Sequence, residues 1–124
     1  MTVVSKLVEG KHPLEFVVSE GEQGYISRDQ IPIAKSQTLV PGQVIAHDAT
    51  GHWGAFIVGD TNFGTAAAVI AYPVATDAAN FGRGVAITRR AEVRGTDLVW
   101  PAGITGAQIA AAAAQLAANM IIIR

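Results

Sequence analysis

His47, Asp48 and His52 are the residues whose types and spacing come nearest to a metal site. Two imidazoles and a carboxylate are competent zinc ligands, but only where a hairpin brings all three to one point. The intervening run Asp48-Ala49-Thr50-Gly51 favours an Asx turn, in which the carboxylate is consumed by its own backbone. It imitates an aspartic-protease triplet only superficially, because Ala49 intrudes where a Thr or Ser should follow the aspartate. Turn and strand-end histidines are the simpler reading.

Other chemistry-bearing residues have equally plain structural readings. Ser5, Ser19, Ser27 and Ser36 lack the G-x-S-x-G setting of an activated nucleophile. The glycines of G-D-T-N-F-G and N-F-G-R-G are followed by no Lys-Ser or Lys-Thr pair opening a helix, so they read as loop glycines and not as a phosphate cradle. Asn62-Phe63-Gly64 and Asn80-Phe81-Gly82 each hold an aromatic on a loop, either as an exposed contact anchor or as a cap over a barrel end. Glu15, Glu20 and Glu22 read as solvated carboxylates. Arg83, Arg89, Arg90 and Arg94, interspersed with Glu92 and Asp97, read as a solvated strand face.

Composition narrows the class. The chain has 124 residues, half of them hydrophobic and only 15% charged, with a formal charge of -1. That is one domain by length, carrying more apolar surface than a monomer of this size hides easily. Self-association or a large partner surface is expected. The near-neutral balance argues against an electrostatic grip on nucleic acid, which needs clustered Lys and Arg. Absence of cysteine excludes disulfides and thiolate metal sites. The opening M-T-V-V-S-K-L-V-E-G lacks the sustained apolar run of a secretory signal, and no segment reaches the roughly 18 apolar residues of a membrane span. A soluble product made in a cytoplasm is expected.

The elements that must position these residues are mostly short strands. Residues 1–13 end in Gly10, Lys11, His12 and Pro13 and read as an arm outside the core; residues 14–124 form the domain. Strands are predicted at 14–18, 25–28, either side of Pro41-Gly42 within 37–46, and at 53–58, 66–72, 84–93 and 98–100. Pro41-Gly42 has the residues of a type II turn. A helix is predicted over 106–118, with Thr105 as N-cap, Gln108 completing a capping box and Ile104 with Ile109 as a hydrophobic staple. Its buried stripe is Ile109, Ala112, Ala113 and Leu116, while the opposite face is almost uncharged alanine. Asn119 is placed to take the left-handed conformation ending the helix before a last strand at 120–123. The whole is an α+β, mostly β domain with one C-terminal helix.

Several ordered motifs suggest a family. E-F-V-V-S-E at 15–20, G-Y-I-S-R-D at 24–29, L-V-P-G-Q-V-I at 39–45, R-A-E-V-R-G at 90–95 and L-V-W-P-A-G-I-T-G-A-Q-I at 98–109 resemble, in this order, the bacteriophage head decoration proteins related to the phage lambda head protein D. The resemblance implies a partly barrel-like β domain that forms homotrimers at three-fold and quasi-three-fold positions on the outside of the expanded head. There it would bridge major capsid subunits and hold the shell against packaged DNA, with no catalysis, cofactor, membrane or direct nucleic-acid contact. It also implies that the N-terminal arm pairs with capsid strands. Val3, Val4, Leu7 and Val8 in the arm, with Glu15, Phe16, Tyr25 and Arg28 in the domain, are the capsid-binding or arm-anchoring candidates. Ile26 stands where many relatives have a polar or basic residue, and the loop 59–64 is unlike theirs, so capsid specificity is expected to differ.

Two other classes compete. A trimeric tail fibre or other virion part shares the apolar excess, but would lack the G-Y-x-S-R and L-V-W-P-A-G motifs. A small β-barrel metal-dependent enzyme would use His47, Asp48 and His52, and would require zinc.

Overall fold

The computed structural model describes residues 11–124. The arm positions Val3, Val4, Leu7 and Val8 lie outside the described residues.

Five strands close a small barrel in the order β2-β5-β4-β6-β8: β2 (Arg28–Ile33), β4 (Val44–His47), β5 (Trp53–Ala55), β6 (Ala68–Ile70) and β8 (Gly82–Ile87). Its longest ladder is antiparallel, running from Arg28 opposite Ile87 to Ile33 opposite Gly82. Beside the barrel, β1 (Val17–Glu20), β9 (Ala91–Val93) and β10 (Ile121–Ile123) form a three-stranded sheet with β9 in the middle. A two-stranded ribbon pairs β3 (Thr38–Leu39) with β7 (Val74–Ala75).

Alternation along the strands divides the interior in two. Ile31, Ile33, Ile45, Ala68, Ile70 and Ala86 fill the barrel, with Trp53 and Ala55 closing it from β5. Their neighbours Val44, Ala46, Val69 and Ile87 point out of the barrel into a second core, shared with Phe16, Val93, Leu98, Leu116 and Ile121. Strands β4 and β6 are thus buried on both faces. For this reason residues 66–71 read as an unbroken apolar run instead of an alternating one.

The helix α1 (Gly106–Ala117) covers the second core with Ala112 and Leu116, while Ile109 and Ala113 are half-buried. Its start follows the predicted capping box: Thr105 Oγ1 accepts from the Gln108 N–H at 3.2 Å, and Gln108 Oε1 accepts from the Thr105 N–H at 3.0 Å. The residue that turns the chain left-handed is Met120, at φ 59°, and not Asn119. Asn119 instead spends its amide on the Ala67 carbonyl at 3.1 Å, tying the helix end to the barrel. The chain then runs as β10 parallel to β9.

Several strand boundaries differ from expectation. Residues 14–16 are turn, with Leu14 at φ 60°, so the first strand begins at Val17. The second begins at Arg28, where it was expected to end, because the loop before it is pinned from outside. The single run predicted at 84–93 is two strands in different sheets, broken where Arg90 takes φ 50°. Residues 98–100 make only one bridge, Val99 to Gln43. At Pro41-Gly42 the φ of 87° at Gly42 and the bond from the Gln43 N–H to the Val40 carbonyl are those of a type II turn. A side chain at Gly42 would also meet the Asp97 carbonyl at 2.7 Å. The flanking strands β3 and β4 pair elsewhere, so the turn is a corner and not a hairpin.

Phe16, fully buried in the second core, is a large core side chain held just outside any strand. Phe16→Ala is expected to lower the unfolding free energy by about 3–5 kcal/mol, and Thr105→Ala by about 1 kcal/mol, both read from urea midpoints at unchanged slope.

Candidate interaction surface

The loop joining β1 to β2 is a rigid platform. It opens with a 3-10 turn at Gly21–Gly24 and carries Tyr25 with 89% of its surface exposed. Ser27 is completely buried beneath it. Its Oγ accepts the Gly21 N–H at 3.0 Å and donates to the Arg90 carbonyl at 2.7 Å. The Thr88 N–H bonds the Ser27 carbonyl at 2.9 Å, and Arg89 Nη1 bonds the Ile26 carbonyl at 2.6 Å. The loop is thereby fastened to residues 88–90, where the chain leaves the barrel for the outer sheet.

A bidentate ion pair closes its base. Arg28 Nε and Nη2 each meet a Glu20 carboxylate oxygen at 2.8 Å, and only 10% of the Glu20 side chain is exposed. Glu20 is therefore a structural ligand and not a solvated carboxylate; Glu15 and Glu22 remain exposed. Gly24 sits over the pair at φ 93°, where an added Cβ would lie 2.7 Å from Glu20 Oε2. A larger residue there would displace the carboxylate and strain the backbone.

Arg89 is likewise committed and not a solvated strand residue: its guanidinium pairs with Asp29, which also accepts from Thr88 Oγ1 at 2.8 Å. Burial pushes the Asp29 carboxyl up, but the hydrogen bonds from Arg89 and Thr88 and the Arg89 charge outweigh it and leave it below the usual carboxylate range. A cleft bounded by Asp29, His47, Trp53, Arg89 and Asn119 has this neutralised pair as its charged wall.

Next to the platform, the outward face of the three-stranded sheet carries Ser19, Glu92 and Ile122 in one register row. Glu92 is paired with Arg124 Nε at 2.8 Å. Met120 and Ile122 are exposed, and with Ser19, Gly21, Arg90 and Glu92 they line a shallow cleft.

The histidines do not converge. Asp48 Oδ1 accepts from the Thr50 N–H, the Thr50 hydroxyl and the His52 N–H at 2.9, 2.6 and 3.0 Å, so the Asx turn consumes the carboxylate. His47 packs against Trp53, with ring centroids 4.8 Å apart, and His52 stacks on Phe81 at 4.1 Å. Among the described residues no three His, Cys, Asp or Glu side chains are grouped to hold a metal ion. Nor is any helix among them long and apolar enough to cross a membrane. The two Asn-Phe-Gly loops share a device, since Asp60 and Asp77 each accept two backbone N–H groups of the loop that follows. They use their aromatics differently: Phe63 packs on the second core, whereas Phe81 is half exposed under Lys35 Nζ, 4.7 Å from its centroid.

Of the candidate contacts in the domain, Glu15 and Tyr25 are exposed. Phe16 offers no surface to a partner, because the second core closes over it completely. Arg28 is held to Glu20 and acts by positioning the loop. Ser27 of G-Y-x-S-R, no nucleophile, is the buried hydroxyl that fastens the tyrosine's loop.

A small β-barrel domain with a hydrogen-bonded surface loop and exposed apolar side chains has the character of a structural interaction protein. The chain matches the family of bacteriophage lambda head decoration protein D over residues 6–121, and it belongs to that family. Among curated proteins none matches it. It is a phage head decoration protein, a structural component that sits on the capsid surface and stabilises the head, and it is not an enzyme.

The depressed Asp29 carboxyl predicts a pH dependence. Its contribution is present above the unfolded pKa of about 4 and is lost as pH falls through the lower folded value. Asp29→Asn is thus expected to lower the melting temperature at pH 7, with the gap to wild type narrowing below pH about 4. A gap independent of pH would show that the charge is not what matters.

Proposed function

We propose that the protein decorates the expanded head as a homotrimer at three-fold and quasi-three-fold positions, bridging neighbouring major capsid subunits. Residues 1–13 act as the binding arm, with Val3, Val4, Leu7 and Val8 as its apolar contacts. Glu15 lies at its root and Arg28 supports it indirectly. The observation that carries the reading is the family match over nearly the whole chain, beginning at residue 6, before the folded domain.

Two features of the domain support it. Ala107, Ala110, Ala114 and Ala117 leave α1 with an exposed, uncharged face, and Val18, Ile57, Val58, Met120 and Ile122 are exposed apolar side chains. Scattered apolar residues are ordinary, but here they accompany a chain with only 15% charge. An extended arm can add to a partner's sheet edge through main-chain hydrogen bonds. Three arms on one trimer make the second and third engagements intramolecular, so weak single contacts give high avidity.

Deleting residues 1–13 is expected to leave the domain folded, because Leu14 and Phe16 are retained, and to abolish binding to expanded shells of the cognate phage. Full shell occupancy by the truncated protein, seen by electron microscopy, would sink the arm assignment. Sedimentation at micromolar concentration is expected to give three times the 12.9 kDa chain mass; a monomer would count against the trimer.

A further inference from the structure

We infer that Tyr25 of one copy docks into the shallow cleft formed by Ser19, Arg90, Glu92, Met120 and Ile122 of the next copy, and that this repeated contact closes the ring. The inference rests on the trimer proposed above and names the contact that makes it.

An aromatic ring 89% exposed to water is ordinary on a loose loop, where it folds back on the surface. Here buried Ser27, the Arg89 bond to the Ile26 carbonyl and the Glu20–Arg28 pair hold the backbone on both sides of it. Rigid aromatic display lowers the ordering cost of binding and is the property of an interface anchor.

A phenol needs an apolar bed for its ring and an acceptor for its hydroxyl. Met120 and Ile122 are exposed at 54% and 37% and provide the bed, with a thioether suited to an aromatic face. The Glu92 carboxylate lies in the same register row as Ile122, on the outward side of the sheet. Arg90, exposed at the cleft margin, supplies a cation for the face of the ring.

Knob and cleft both adjoin the Gly21–Gly24 turn, because Gly21 itself lines the cleft. Different patches on one chain that fit each other make a heterologous contact, which closes into a ring when the rotation between copies allows. Neighbouring patches favour a small ring about an axis beside that turn. Apolar surface alone would not select a second copy as occupant; the matching tyrosine on the same chain does.

The test uses the full chain. Tyr25→Ala is expected to convert the sedimenting trimer to monomer at micromolar concentration, with an unchanged circular dichroism spectrum because Tyr25 is 89% exposed in its own copy. Tyr25→Phe, which keeps the ring, is expected to retain trimers with a weaker association. The chain has no cysteine, so Tyr25→Cys combined with Ile122→Cys reports the contact directly: mild oxidation should yield a covalent trimer, and neither single variant should. If wild type and Tyr25→Ala are both trimeric, or the cysteine pair does not cross-link within trimers, this contact is wrong while the trimer stands. A monomeric wild type would overturn the trimer and the contact with it.

Discussion

Burial of β4 and β6 on both faces is the constraint from which the rest of the architecture follows. A five-stranded barrel filled by isoleucines and alanines leaves Val44, Ala46, Val69 and Ile87 pointing outward, and exposing them would forfeit about 1.5–3 kcal/mol for each large side chain. Something has to cover them. The three-stranded sheet and α1 do so, and Phe16, Val93, Leu116 and Ile121 are the residues that meet the barrel there. The chain must therefore leave the barrel after β8, turn sharply at Arg90 and return at its end as β10.

That corner couples core to surface. Residues 88–90 carry the chain from barrel to outer sheet and also fasten the loop: the Arg90 carbonyl accepts from Ser27 Oγ, while the Thr88 N–H and Arg89 Nη1 donate to the Ser27 and Ile26 carbonyls. A single junction thus fixes the sheet and immobilises the Tyr25 loop. Ion pairs are spent the same way: Glu20 with Arg28 and Asp29 with Arg89 tighten the junction. A decoration protein has to resist distortion, and a loop fastened at the seam of two sheets braces that seam.

Local signals in the chain were reliable where short-range physics decides. The Thr105–Gln108 capping box, the type II turn at Pro41-Gly42 and the Asx turn at Asp48 all involve groups within four residues of each other, and all three form as expected. Strand limits were less legible. Nothing local distinguishes an apolar strand buried on two faces from a longer strand buried on one, and the break at Arg90 depends on partners more than sixty residues away in Ser27. Of the site, Phe16 and Tyr25 were indistinguishable in sequence as contact candidates, because both aromatics occupy turns whose exposure is set by what the rest of the domain packs over them.

The sequence alone determined the class: a small, cysteine-free, weakly charged β domain with a capped C-terminal helix, whose ordered motifs point to head decoration. Those properties are additive over short windows, so they survive without coordinates. Only the tertiary structure decided which side chains face water, that the histidines stay apart, and that Glu20 and Arg28 serve the loop between them. Each of these depends on groups brought together across sheet boundaries, where the free energy of burial and pairing belongs to the assembled domain and to no single segment.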